Sequence, residues 1–139
     1  MRTMLLILTA ALATPLGAAP VPKNKKTPDA EKIVGRWRVV GREFNGGPRS
    51  GREECFWVFE ADKMTIFNTK GDRGSVFTYR VEETESPKRL DLNIGNGQYQ
   101  GLYDLDGDNL KWANTGPGGK RPDSVTSGNN VNLIIFTRE

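Results

Sequence analysis

The chain has 139 residues, a length that suits one ordinary domain. Its 20 basic and 17 acidic residues leave a net charge of +3, and no basic run is interleaved with aromatics, which argues against a nucleic-acid surface. There is no histidine and a single cysteine, Cys55. The commonest general base and metal ligand is therefore missing, and neither an internal disulfide nor a cysteine-based zinc site can form.

Residues 4–13 form an apolar run behind Arg2, and the small residues Gly17, Ala18 and Ala19 follow it. This is the pattern of a cleaved export signal over 1–19. The run is shorter than the roughly 20 residues that a bilayer-spanning helix needs. The expected mature chain is periplasmic or extracellular, with no stable membrane insertion after cleavage. Losing Arg2 takes its charge from +3 to +2. Sequencing the N-terminus of exported protein checks this, and a start at Met1 would contradict it.

Residues 20–32 read as a linker and a short helix. Pro20, Pro22 and the three lysines Lys23, Lys25 and Lys26 favour an extended, solvated start. Thr27 is placed to cap, Pro28 suits the first helical position, and Asp29 and Glu31 favour the positive end of the helix dipole.

Residues 33–139 divide at turn signals into eight strand-like segments: 34–44, 53–60, 63–68, 75–83, 89–94, 98–105, 109–113 and 131–137. Asn96-Gly97 is the strongest hairpin dipeptide, because both residues tolerate positive φ. Residues 114–130 form a long loop containing Gly116-Pro117-Gly118-Gly119. Short links favour antiparallel pairing of successive strands, and no amphipathic helix is available to cover a sheet. The expected fold is all-β: an eight-stranded antiparallel up-and-down barrel, since closure removes exposed edges. Alternation assigns an inward set. It comprises Trp37 and Val39; Trp57 and Phe59; Phe77, Tyr79 and Val81; Leu90, Leu92 and Ile94; Leu110 and Trp112; and Leu133 and Ile135. Segment 98–105 is ambiguous, because Leu102 opposes Tyr103 and Leu105.

Gly35-Arg36-Trp37 on the first strand and Arg138 at the end of the last resemble the closure motif of the lipocalins. The resemblance implies that Trp37 plugs one barrel end with Arg138 packed over it, a cation–π contact whose remaining donors reach strand-end carbonyls. Residues 33–139 are more specifically similar to lipocalin-like small secreted domains of unknown function that are expanded in planctomycete bacteria. That similarity rests on Gly35-x-Trp37, on Phe59 with Asp62-Lys63, and on the run from Gly101 to Leu110. Gly119-Lys120-Arg121-Pro122 and Arg138-Glu139 complete it. It implies a fold and no particular activity. Tyr103-Asp104-Leu105 is not the Thr-Asp-Tyr motif of the lipocalins, which favours a narrower barrel.

Chemistry-bearing patterns are few. Asp104, Asp106 and Asp108 lack calcium-loop spacing and read as a hairpin turn. Gly95-Asn96-Gly97 and the 116–120 run lie outside any strand–helix junction and read as loops. Cys55 has no histidine to activate it and reads as a buried or idle thiol. The aromatics are more informative. Trp57, Phe59, Phe77, Tyr79, Tyr103 and Trp112 are the candidate ligand-binding residues of the interior, while Gly35, Trp37 and Arg138 are structural. The rings either fill the core or line an apolar pocket open at one end. The expected protein is a non-enzymatic, monomeric binder of a small apolar ligand, with no metal, cofactor or nucleic acid. The alternative is a protein-interaction or inhibitory module using the 114–130 loop or the N-terminal tether.

Overall fold

A computed structural model describes residues 26–50 and 55–139. The leader, nearly all of the tether and the start of the second strand-like segment lie outside the described residues. One helical turn, α1 (Asp29–Lys32), precedes ten strands. They are β1 (Gly35–Phe44), β2 (Gly47–Pro48), β3 (Phe56–Phe59), β4 (Lys63–Phe67), β5 (Arg73–Glu82), β6 (Arg89–Ile94), β7 (Gly97–Tyr99), β8 (Gly101–Asp106), β9 (Asn109–Asn114) and β10 (Asn132–Arg138).

All pairings are antiparallel: β1 pairs with both β2 and β3, the strands from β3 to β7 pair in sequence order, β6 also meets β8, β8 pairs with β9 and β9 with β10, and β10 returns to pair with β1. The short β2 turns back along the end of β1 as its hairpin partner, while β7 and β8 are one barrel strand broken at Gln100. The result is a closed, eight-stranded, antiparallel up-and-down barrel, with almost no helix among the described residues. Closure leaves no long unpaired edge, which is how an all-β chain without a covering helix avoids edge-to-edge association.

Turn geometry differs from the simplest reading at one hairpin. Ile94 pairs with Gly97, so the two central residues are Gly95 and Asn96, and the positive φ of 50° falls on Gly95. The asparagine–glycine hairpin lies instead at Asn45-Gly46, with φ of 52° and 82°. Positive φ at both positions matches the right-handed twist of the flanking strands.

The core contains Trp37, Val39, Trp57, Phe59, Met64, Phe77, Leu90, Leu92, Tyr103, Leu110, Trp112, Ile134 and Phe136, with Tyr79 and Val81 packed against it. The expected inward set holds except on β6 and β10. Ile94 is exposed, at the turn end of its strand. On β10 the phase is reversed: Ile134 and Phe136 belong to the core, whereas Leu133 and Ile135 face out. Leu133 is nonetheless buried. It shares a register row with Leu102 and Ala113, both buried outside the inward cluster. Residues 115–131 run over this row. The segment is anchored by Gly118 N donating to the Gln98 carbonyl at 2.8 Å, by Arg121 bridging Asp91 and the Gly101 carbonyl, and by Gly46 N donating to Ser127 Oγ at 2.7 Å. The long loop is thus a strap that gives three strands a second apolar face.

Candidate functional site: the barrel mouth

The two barrel ends differ. At one end Ile33 and Trp37 are fully buried, and the Trp37 indole donates to the Ile33 carbonyl at 2.8 Å. The Arg138 guanidinium lies 4.2 Å from the centre of the Trp37 ring. It also donates to the Lys32 and Val34 carbonyls, and its Nε lies 3.3 Å from Asp108 Oδ1. The Asp106–Asn109 hairpin is therefore part of the seal, and Asp108 serves it as an ion-pair partner. Gly35 has a φ of 139°, and a Cβ there would lie 2.9 Å from Arg138 Nη1. Only glycine satisfies both the backbone and the close guanidinium.

α1 lies across the same end. Pro28, not Thr27, occupies the N-cap position and makes no side-chain capping bond. Asp29 is buried: Lys88 Nζ and the Tyr103 hydroxyl donate to its Oδ2 at 2.7 and 2.9 Å. Burial alone would raise the Asp29 pKa, but the Lys88 ammonium and the Tyr103 hydroxyl outweigh it and hold the carboxyl below its ordinary value. Burial, and then the neighbouring Asp29 carboxylate, push the Tyr103 hydroxyl upward, so it remains a donor.

The linkage sign follows. The unfolded chain takes up the Asp29 proton first as pH falls, so the stabilisation is full above the ordinary carboxylate value of about 4. It is lost as pH falls through the lower folded value. Asp29→Asn should cost about 2–3 kcal/mol at neutral pH. The gap from the native protein should close on acidification. Urea midpoints measured at neutral and acid pH check this, and an equal gap at both would exclude Asp29 as the source.

The opposite end is open. It leads into a cavity of about 580 Å³ whose apolar walls include Trp57, Ile66, Phe77, Leu92, Tyr99, Trp112 and Ile134. Arg42, Arg49, Ser50, Ser75, Asn114 and Asn132 are the polar residues of its walls and rim, with Gly116 and Pro117 from the strap. The volume falls within the few hundred to a thousand Å³ typical of small-molecule sites. Trp57 makes edge contacts with Trp112 at 5.6 Å and with Phe136 at 4.9 Å. The Trp112 indole donates to the Leu90 carbonyl at 2.9 Å, which fixes the ring as a wall.

No protein-family model matches the chain, and no curated protein or solved structure is significantly similar to it. The mouth is therefore read from its own geometry.

Of the six expected interior residues, Trp57, Phe77 and Trp112 line the cavity. Phe59 and Tyr79 instead contact each other edge-on at 5.1 Å, and the Tyr79 hydroxyl donates to the Glu60 carbonyl. Tyr103 belongs to the Asp29 network. The interior is thus both things the aromatics allowed: filled at the Trp37 end and hollow at the other. Cys55 is buried in the core, 3.6 Å from Arg42 Nη2.

Sequence reasoning missed Arg42, Arg49, Tyr99, Asn114 and Asn132. Strict alternation from Trp37 puts Arg42 outside. The register shifts between Val39 and Gly41, and this bulge turns Arg42 inward opposite Ile134. Gly41 was the available signal, since a glycine inside a strand often marks a bulge.

Proposed function

We propose that the domain is an exported, non-enzymatic, lipocalin-like binding protein that takes a small, mainly apolar ligand into the mouth of its barrel. The observation that carries this reading is the cavity of about 580 Å³ walled by Trp57, Phe77, Leu92, Tyr99, Trp112 and Ile134. Rings fixed by neighbouring rings and by the Trp112 hydrogen bond form a preorganised apolar surface, and a ligand entering it has little side-chain ordering to offset. The alternative reading as an interaction module draws less support from the 114–130 loop, which is bonded to Gln98, Asp91, Gly101 and Gly46 of the barrel itself, while the N-terminal tether lies almost entirely outside the described residues.

The test uses the uncharged fluorescent probe N-phenyl-1-naphthylamine. Saturable one-to-one binding with quenching of tryptophan emission is the expected result. Ser75→Trp, which adds a ring at an exposed position on the cavity rim, should weaken it by about tenfold, equivalent to ~1.4 kcal/mol. Absence of saturable binding, together with no co-purifying small molecule in native mass spectrometry, would overturn the reading.

A further inference from the structure

The mouth carries two buried hydrogen-bond donors without partners. Arg42 Nε and Trp57 Nε1 are both shielded from solvent, and neither has an acceptor among the described residues. Trp57 is 3% exposed, and both residues line the cavity. Buried donors in folded proteins are nearly always paired; these two lie just behind the cavity surface, where an acceptor from outside reaches them once the side chains lining the mouth shift. The Arg42 guanidinium has a weak neighbour in Cys55 Sγ, 3.6 Å from Nη2, which leaves Nε unserved.

The charge of the mouth points the same way. Arg42 and Arg49 line it, and no carboxylate does so among the described residues. Arg49 is oriented by its bond to Asn132 Oδ1 at 2.8 Å and by the Phe44 ring 5.5 Å away. The bulge on β1 produces this balance. Uninterrupted alternation would turn Gly41 and Glu43 into the barrel. The register shift turns Arg42 inward and leaves Glu43 opposite Leu133, on the strap-covered outer face. A bulge that exchanges an inward carboxylate for an inward guanidinium re-aims a side chain, as bulges beside binding sites do.

We infer that the ligand of this mouth is a small carboxylate with an apolar body, its carboxylate accepting from Arg42 Nε and Trp57 Nε1 and its body lying against Phe77, Leu92, Tyr99 and Trp112. The inference rests on the proposed binding function and names the ligand class. A carboxylate offers several acceptor positions at once, which suits two donors from different strands, and a planar guanidinium pairs with it better than an ammonium does.

The experiment displaces N-phenyl-1-naphthylamine at neutral pH with three decyl compounds: decanoate, decan-1-ol and decylamine. Decanoate should compete about tenfold better than decan-1-ol, and decylamine should be the weakest. Arg42→Met should bring the decanoate-to-decanol ratio close to one, and Arg42→Lys should restore only part of it. Arg36→Met, on the outer face where Arg36 stacks on Phe56, should leave the ratio as in the native protein. A urea midpoint for each variant shows that it is folded. Equal competition by decanol and decanoate, tighter binding of decylamine, or an Arg42→Met variant that keeps the carboxylate preference would overturn the inference while leaving the binding function standing. If the probe does not bind and native mass spectrometry finds no co-purifying small molecule, the pocket reading fails and takes this one with it.

Discussion

Trp37→Ala should destabilise the barrel by about 3–5 kcal/mol, a large part of the 5–15 kcal/mol available to a typical domain. Trp37 is fully buried, so truncation leaves a cavity as well as removing apolar contact. It also removes the donor to the Ile33 carbonyl and the ring beneath Arg138. The guanidinium would keep its carbonyl bonds but lose its apolar floor, and α1 would lose what it rests on. Trp37→Phe should cost less, about 1–2 kcal/mol, since it keeps a ring and forfeits the indole hydrogen bond. Urea unfolding followed by far-ultraviolet circular dichroism is the measurement, because the substitution alters the fluorescence signal itself. A loss below 1 kcal/mol for Trp37→Ala would show that the end plug does not close the barrel.

The same end shows why the fold was legible. Gly35, Trp37 and Arg138 sit at the first and last strands, and antiparallel closure puts Trp37 directly opposite Arg138. Turn residues divide the chain at the right places, and on most strands a period of two marks the inward face. Legibility fails where that period carries no information. Leu133-Ile134-Ile135-Phe136 is apolar throughout, because the strap buries the outer face of β10 as well as the core burying its inner face. A two-sided apolar strand has no readable phase. Asp29 reads as a first-turn acid of a helix, yet it is consumed by Lys88 and Tyr103, partners far away in sequence. The candidate site was half visible for a related reason. Its floor is made of aromatics, which composition reveals. Its rim is made of Arg42, Arg49, Asn114 and Asn132, whose inward direction depends on a bulge and on strand ends.

The broken strand β7–β8 links the filled half of the barrel to the hollow half, and Gly101 is the residue on which that link depends. A Cβ at this position would lie 2.1 Å from Trp112 Nε1, 2.8 Å from Trp112 Cε2 and 2.7 Å from the Leu90 carbonyl oxygen. All three contacts are too short, so the indole must move and the Leu90 carbonyl, which is ladder backbone, must shift at the expense of β6. Moving the indole breaks the Trp112–Leu90 hydrogen bond and drives the ring toward the cavity it walls. Gly101→Ala should therefore cost about 3 kcal/mol, at the upper end for overpacking. It should also change the near-ultraviolet dichroism of the tryptophans and weaken binding of N-phenyl-1-naphthylamine. Trp112→Phe removes the clashing nitrogen, so the double variant should recover part of the loss, with a coupling of about 1–2 kcal/mol in a double-mutant cycle. A Gly101→Ala protein within 1 kcal/mol of the native one, with unaltered near-ultraviolet dichroism, would show that the Trp112 wall is not held by this contact. A strictly additive cycle would place the cost of Gly101→Ala in the backbone of β8 and not in the ring.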